Sequence, residues 1–148
     1  MVIVPGEGPE NARVMLIGQN PGREEVKLGR PFVGRSGKFL DFVLKDLGIP
    51  RTGLYITAAV KIPTARNRKP TKQEIEDWRP ALLDEIKRVK PEIIVLMGEV
   101  AWKTPRLPGI RYIETYHPAA AMRFPKVRQR FLADFKQLAD SLTRPLDL

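Results

Sequence analysis

The chain has 148 residues, 43% of them hydrophobic, and this length suits one domain, residues 1–148, with a substantial core. It contains no cysteine, which excludes disulfides, a thiolate nucleophile and a cysteine-ligated iron–sulfur or zinc site. The net charge of +9 favours a polyanionic partner such as nucleic acid, although thermostable and ribosome-associated proteins are also rich in lysine and arginine.

We expect no signal peptide at the start of the chain and no membrane helix. The apolar run that opens at Met1 stops at Pro5 and lacks the basic start of a signal peptide. No apolar run approaches the roughly 20 residues that a membrane helix needs. We therefore expect a soluble, cytoplasmic protein without a membrane partner.

Strand and helix signals alternate along the first half of the chain. Residues 14–17 form an apolar run that ends at Gly18, which is typical of a buried strand. Ser36 can cap a helix that extends to about Leu47 and, being apolar on most faces, should be well buried. A second strand is expected over residues 54–60 and a polar, basic loop over residues 61–70.

The second half continues this alternation. Thr71 and Glu74 form a capping-box pattern for a helix that Pro91 ends. The later expectations are a strand over residues 92–98, a short helix near Glu99, a strand over residues 110–116, a last helix with Pro125 in its first turn, and loose ends at residues 1–11 and 144–148.

Strands that alternate with helices imply βαβ units, a parallel sheet and right-handed crossovers. The sequence therefore predicts an α/β protein, a single three-layer α/β/α domain with a central four-stranded parallel sheet.

The loop after the first predicted strand reads Gly18-Gln19-Asn20-Pro21-Gly22. Its glycines permit a tight turn and close backbone approach to a ligand, at the sheet edge where open α/β folds bind ligands. An ordinary turn is the alternative. Phe32 follows in a loop rich in glycine and proline, where it can stack on a base or plug the core beneath.

His117 is the only histidine in the chain. It follows a predicted strand at the ligand edge and precedes Pro118, and a basic stretch comes next. A lone histidine is more often structural, but this placement favours catalysis.

Two basic segments flank the same predicted edge. They favour contact with phosphates, the alternative being a solvated surface. The candidate DNA-binding residues are Arg66, Arg68 and Lys69, in a segment from Lys61 to Lys72, and Arg123, Lys126 and Arg128. Residues 129–135 also resemble a sliding-clamp-binding QxxLxxF peptide, although Phe131 and Phe135 fit the core face of a helix.

From Arg13 to Leu142 the chain resembles the uracil-DNA glycosylases of family 4, the small thermophile type. The segments that carry the resemblance stand in the expected order: GRPFVGRSGKFLD, YITAAVK, NRKPT, RVKPEIIVLMGEVA and TYHPAAAMR. The resemblance implies an α/β/α fold and excision of uracil from DNA without a metal in the chemistry.

Four features depart from that family. Two of its four iron–sulfur cysteines correspond to Ile62 and Trp78 and the N-terminal pair is absent, so we expect no cofactor. Asn20 in GQNPG is similar to the mismatch-specific (family 2) glycosylases, whose asparagine positions the attacking water. Ala58 stands where the family reads uracil with asparagine, and its TAAV context is similar to family 5, which tolerates several damaged bases. Ala119 replaces the serine of HPS.

The resemblance also implies a mechanism. Phe32 stacks on a base flipped out of DNA, and the backbone at Gly18 and Gln19, with His117, donates hydrogen bonds to the departing base. Asn20 orients the attacking water, and Glu24 or Glu25 is a second candidate for that task. No lysine is placed as a Schiff-base nucleophile, so we expect a monofunctional glycosylase.

Two other functions stay open from sequence. We expect a monomer in either case. One is a DNA-binding protein that keeps the fold but has lost catalysis, which Ala58 and the missing cluster favour and Asn20, Phe32 and His117 oppose. The other is an enzyme that acts on free nucleosides or nucleotides, which explains the positive charge less well.

Overall fold

The computed structural model describes residues 2–143, which form one four-stranded, all-parallel sheet with helices on both faces. The strand order is β2-β1-β3-β4. This confirms the predicted α/β fold. The strands are β1 (Val14–Gly18), β2 (Tyr55–Ala58), β3 (Ile93–Met97) and β4 (Arg111–Thr115).

The helices largely begin where the local sequence predicts. Thr71 caps α3 through a capping box, in which Thr71 Oγ1 accepts from Glu74 N and Glu74 Oε1 accepts from Thr71 N. Pro125 opens the last helix, as expected. The helices are α1 (Arg23–Leu28), α2 (Arg35–Asp46), α3 (Lys72–Val89), α4 (Glu99–Trp102), α5 (Pro118–Arg123) and α6 (Pro125–Thr143), with 3₁₀ turns at Arg51–Gly53 and Ala65–Asn67.

Alternate side chains of β1 serve two separate hydrophobic layers, because successive residues of a strand point to opposite faces. Val14 and Leu16 pack with α2, α5 and α6, whereas Met15 and Ile17 pack with α3 and α4. All four are buried. The predicted three-layer α/β/α arrangement is therefore confirmed.

The topology creates a crevice at the carboxyl ends of the central strands. The chain passes from β1 to β2 on one side, and β3 then joins β1 on the other side. The loops that follow β1 and β3 diverge at this point, which is where open α/β sheets bind ligands.

The expectation that residues 1–11 are loose is wrong for the part that the structure describes. Val4 N donates to the Lys61 carbonyl at 2.8 Å, and Glu7 pairs antiparallel with Ile56 of β2. Glu7 also bonds Arg30. A strand at a sheet edge offers unpaired backbone groups, and this segment uses them. The other expected loose end, residues 144–148, lies outside the described residues.

Two further expectations need correction, and two short helices were missed. Ser36 does not cap α2, because the N-cap is Gly34, two residues earlier, and the helix begins at Arg35. The helix is not buried on most faces, since Phe42 is 69% exposed. The short helices α1 and α5 were not predicted, because six residues are too few to show an apolar period.

No helix within residues 2–143 has both the length and the apolar character to cross a membrane.

Candidate active site

A pocket of about 130 Å³ lies at the carboxyl edge of the sheet. The structure brings most of the predicted substrate and catalytic residues together there. Those in its wall are Gln19, Asn20, Glu25, Phe32, Ala58 and His117. Ala119, which the resemblance singled out, also lines the pocket, and the sequence did not predict three further lining residues: Val4, Ser36 and Asn67.

Phe32 lies across the end of β1. A methyl group added at Gly18 would stand 2.4 Å from Cζ of the Phe32 ring, so only glycine at residue 18 permits this approach. The Phe32 and His117 ring centroids are 5.7 Å apart, with 30° between the ring planes. Gly18 therefore acts by admitting the aromatic ring, and Phe32 forms a wall of the pocket beside the imidazole.

Phe32 has a strained backbone that its surroundings hold in place. Its φ of +51° lies in the left-handed region, which is unfavourable for a bulky side chain. Arg51 donates to the carbonyl oxygens of Pro31 at 2.6 Å and Phe32 at 2.7 Å, and to Asp41 Oδ1 at 2.7 Å. Arg51 belongs to no recognisable motif, and its role could not be predicted from sequence.

A backbone hydrogen bond to Nδ1 assigns the tautomer of His117. It is the N-cap of α5, and its Nδ1 accepts a hydrogen bond from Ala119 N at 3.1 Å. Nδ1 therefore carries no proton, and the proton of the neutral ring is on Nε2. Gly98 makes room, because a Cβ there would lie 3.2 Å from that of His117.

Burial lowers the pKa of His117 from its ordinary 6.5 to about 4, and the Glu25 charge opposes this shift only in part. Between pH 4 and 6.5 an unfolded chain binds a proton at this residue that the folded chain does not. We expect stability to fall as pH drops through this range.

A single-turnover rate that depends on neutral His117 should keep its value down to about pH 5. The check is a pH profile of that rate, paired with urea unfolding at each pH, with His117→Ala as the control for both. An inflection near pH 6.5 that His117→Ala abolishes would contradict the expected profile.

Asn20 has its amide anchored and its carbonyl available. Nδ2 donates to the Ile62 carbonyl and to Thr64 Oγ1, both at 3.3 Å, while Oδ1 accepts from Gln19 Nε2 at 3.3 Å. This orientation leaves Oδ1 a second lone pair. The side chain can therefore accept a hydrogen bond from a water molecule in the pocket.

Glu25 ties together the loops that form the pocket. Its Oε1 accepts from Gly22 N at 2.9 Å, and its Oε2 accepts from Val33 N at 3.0 Å and Gly34 N at 2.7 Å. Both carboxylate oxygens are thus engaged by backbone N–H groups. This geometry supports a role in positioning the walls around Phe32 more directly than a role in proton abstraction.

Comparison with known proteins assigns the family. The family model described as "Uracil DNA glycosylase superfamily" matches residues 5–140. The chain belongs to the uracil-DNA glycosylase superfamily.

Proteins of two types within the superfamily are similar to this chain. The Type-4 uracil-DNA glycosylase of Archaeoglobus fulgidus is 32% identical, over 93% of this chain and 80% of that protein. The Type-4 uracil-DNA glycosylase of Sulfurisphaera tokodaii is 35% identical, over 96% of this chain and 76% of that protein. The Type-5 uracil-DNA glycosylase of Pyrobaculum aerophilum is 29% identical, over 78% of this chain and 65% of that protein.

This superfamily member has no residues suited to an iron–sulfur cluster. Its sequence holds no cysteine, and cysteine thiolates are the usual cluster ligands. Ile62 and Trp78 instead pack against the hydrophobic layer beside α3. Within residues 2–143 no three histidine, cysteine, aspartate or glutamate side chains form a metal-binding group.

A buried ion pair lies behind the end of β2. Lys61, 5% exposed, donates from Nζ to the Ala58 carbonyl at 2.5 Å and stands 2.6 Å from Glu85 Oε1. Glu85 also accepts from the hydroxyl groups of Tyr55 and Thr57. Sequence analysis grouped Lys61 with an exposed basic segment, which is wrong because its partner Glu85 lies on a different element.

The predicted DNA-binding residues fall into two groups. Arg66, Arg123 and Lys126 are exposed. The other three already have partners in the protein: Arg68 pairs with Glu74, Lys69 pairs with Glu99, and Arg128 donates to the carbonyls of Ala121 and Met122 at the end of α5.

Proposed function

We propose that this protein hydrolyses the N-glycosidic bond of uracil in DNA and leaves an abasic site. The observation that carries the proposal is the neutral His117, with its proton on Nε2, beside Phe32 and the free Oδ1 of Asn20 in one pocket. The superfamily assignment and the Type-4 relatives support the same chemistry.

The substrate enters the pocket as an extruded nucleotide. The glycosidic bond of a stacked base is out of reach, so the nucleotide has to leave the helix. Phe32 offers the extruded base an aromatic ring, and Arg51 holds the backbone that carries this ring through the carbonyls of Pro31 and Phe32. Binding in this pocket would place the base beside His117.

His117 assists departure of the base. As the bond from C1′ to the base nitrogen breaks, its electron pair stays with the base, which becomes anionic. The Nε2–H of His117 donates to the oxygen where this charge develops, and backbone N–H groups near Gln19 share it. A neutral donor suits this task because it need not give up its proton for the base to leave.

Asn20 and Glu25 serve the water side of the reaction. The water oxygen bonds to C1′, one of its protons remains on the new hydroxyl group and the other goes to the departing base or to solvent. Asn20 Oδ1 accepts a hydrogen bond from this water, which orients its lone pair toward C1′. Glu25 positions the surrounding loops by accepting three hydrogen bonds from their backbone N–H groups.

We propose a monofunctional glycosylase. No lysine is among the residues that line the pocket, so no amine stands ready to form a Schiff base with the sugar. Borohydride treatment during turnover should therefore trap no protein–DNA adduct.

The test of the function is base release from oligonucleotides that carry uracil, hypoxanthine, xanthine or mismatched thymine. Alkaline cleavage after incubation reports abasic sites, and release of uracil is the expected result. Tight DNA binding without base release from any substrate would favour the catalytically altered DNA-binding protein. Activity confined to free nucleosides would favour the nucleoside- or nucleotide-processing enzyme.

Ala58→Asn is expected to raise the preference for uracil. Ala58 lines the pocket but offers no side-chain hydrogen bond, and an apolar wall discriminates among bases far less than a polar one. The unmutated protein should therefore also act on at least one other deaminated base. The measurement is kcat/KM for uracil relative to hypoxanthine in both proteins. Strict uracil specificity before mutation would refute this explanation.

A sliding clamp is not part of the proposal. Phe131 and Phe135 of the QxxLxxF segment are buried in the hydrophobic layer beside α2, at 0% and 1% exposure. Both rings serve the core of this fold, which is the alternative that the sequence had offered.

A further inference from the structure

A second concave surface adjoins the base pocket. This groove has a volume of about 560 Å³ and lies between α1, the start of α2 and the end of α5. It shares Gly22, Glu25, Ser36, Asn67 and Ala119 with the pocket, so the two cavities are adjacent. A nucleotide in the pocket would therefore have the groove beside it.

Three arginines from three different helices line the groove: Arg23, Arg35 and Arg123. All three are exposed. Among the residues that the structure describes, none of them forms an ion pair. The Arg123 guanidinium lies 5.2 Å from the centre of the Phe124 ring, and this cation–π contact helps to hold the arginine in place.

The acidic residues of the groove offset part of this charge, since three arginines against Glu24 and Glu25 leave a net charge of +1. Glu25 directs both of its oxygens to backbone N–H groups and not to the arginines. The 12-residue helix α2 begins at Arg35, so its positive dipole end lies on the same wall. Three unpaired guanidinium groups and a helix start together favour an anion in this groove.

Elsewhere several basic side chains are less available. Arg68 and Lys69 pair with carboxylates, and Arg128 donates to two carbonyl groups. These three basic residues are therefore less available to a phosphate than Arg23, Arg35 and Arg123, which form no ion pair among the described residues.

We propose that this groove binds the backbone phosphates next to the extruded nucleotide, through Arg23, Arg35 and Arg123. The proposal rests on the proposed function for the identity of the polymer, since it takes the base pocket to hold a base of DNA. Arginine suits this task because its planar fork can bond two phosphate oxygens at once. Two of these residues, Arg23 and Arg35, lie outside both basic segments of the sequence.

The experiment measures the salt dependence of DNA binding by fluorescence anisotropy, on a short duplex that carries one uracil. The dissociation constant is recorded over a salt titration for the unmutated protein and for Arg23→Ala, Arg35→Ala and Arg123→Ala. The control is Arg111→Ala, because Arg111 is an exposed arginine at the start of β4, at the opposite edge of the sheet. Circular dichroism melting shows that each variant folds.

Each groove variant should make the negative slope of log affinity against log salt shallower by about 0.9, the value for one lost phosphate contact on duplex DNA. Arg111→Ala should leave the slope unchanged, and Arg68→Ala should change it less than the groove variants do. Slopes for all three groove variants that equal the Arg111→Ala slope would overturn the proposal.

The readout separates this proposal from the proposed function, because binding is measured without turnover. If the unmutated protein releases uracil and the groove variants keep its salt slope, phosphate binding in the groove is refuted and the glycosylase function stands. If the groove variants have shallower salt slopes and no substrate loses its base, phosphate binding in the groove is supported and the glycosylase function is refuted.

Discussion

Replacing His117 by alanine is expected to slow single-turnover base release by about 10²–10³-fold, the usual effect of removing one donor from a developing anion. The structure assigns the proton to Nε2, because Nδ1 accepts from Ala119 N at 3.1 Å. The loss should fall on the rate at saturating protein rather than on DNA affinity, because the groove arginines do not contact this ring.

Asn20→Ala is the matched comparison for the water side of the reaction. It removes the Oδ1 acceptor and should also reduce the rate strongly, with DNA affinity largely kept. Asn20→Asp is informative, since it keeps Oδ1-type acceptors but loses the donors to Ile62 and Thr64. Near-normal single-turnover release by His117→Ala or Asn20→Ala would remove that residue from the mechanism.

Replacing Glu85 by alanine is expected to lower the free energy of unfolding by about 3–5 kcal/mol, the range for breaking a buried ion pair from one side. Lys61 Nζ stands 2.6 Å from Glu85 Oε1 and both side chains are buried. Burial already lowers the pKa of Lys61, so its ammonium group without Glu85 would carry an uncompensated desolvation cost.

Urea unfolding of Glu85→Ala gives the free energy directly. The control is the double variant Lys61→Met with Glu85→Leu, which removes both charges and should be clearly more stable than Glu85→Ala alone. A neutral Lys61 costs less to bury than a charged one. The loss of unfolding free energy in Glu85→Ala, relative to the unmutated protein, should therefore shrink as pH rises. Equal unfolding free energies for Glu85→Ala and the unmutated protein would refute this account of the buried pair.

Local sequence was sufficient for the architecture and for most of the pocket. The run before Gly18, the capping box at Thr71 and Pro125 each reflect a short-range rule of backbone geometry or burial, and the structure confirms all three elements. Loops that follow parallel strands meet at one sheet edge, so placing Asn20 and His117 in one site required only the strand assignments.

The tertiary structure alone decided which side chains pair and which stay free. Lys61 and Arg68 look alike in sequence, yet one is buried against Glu85 and the other lies on the surface against Glu74. Likewise, Arg51 holds Phe32 in a strained conformation across 19 residues of sequence. No local pattern reports such contacts, because they depend on how separate elements pack.

Periodicity, caps and turn residues act over a few neighbours, so the amino-acid sequence was enough to predict the fold class, the strand-end loops and most of the pocket residues. Only the tertiary structure placed the N-terminal segment on β2, brought Val4 and Asn67 to the pocket and gathered Arg23, Arg35 and Arg123 in one groove. The physical reason is that distance in space between these groups is set by strand order and helix packing, to which residues far apart in the chain contribute together.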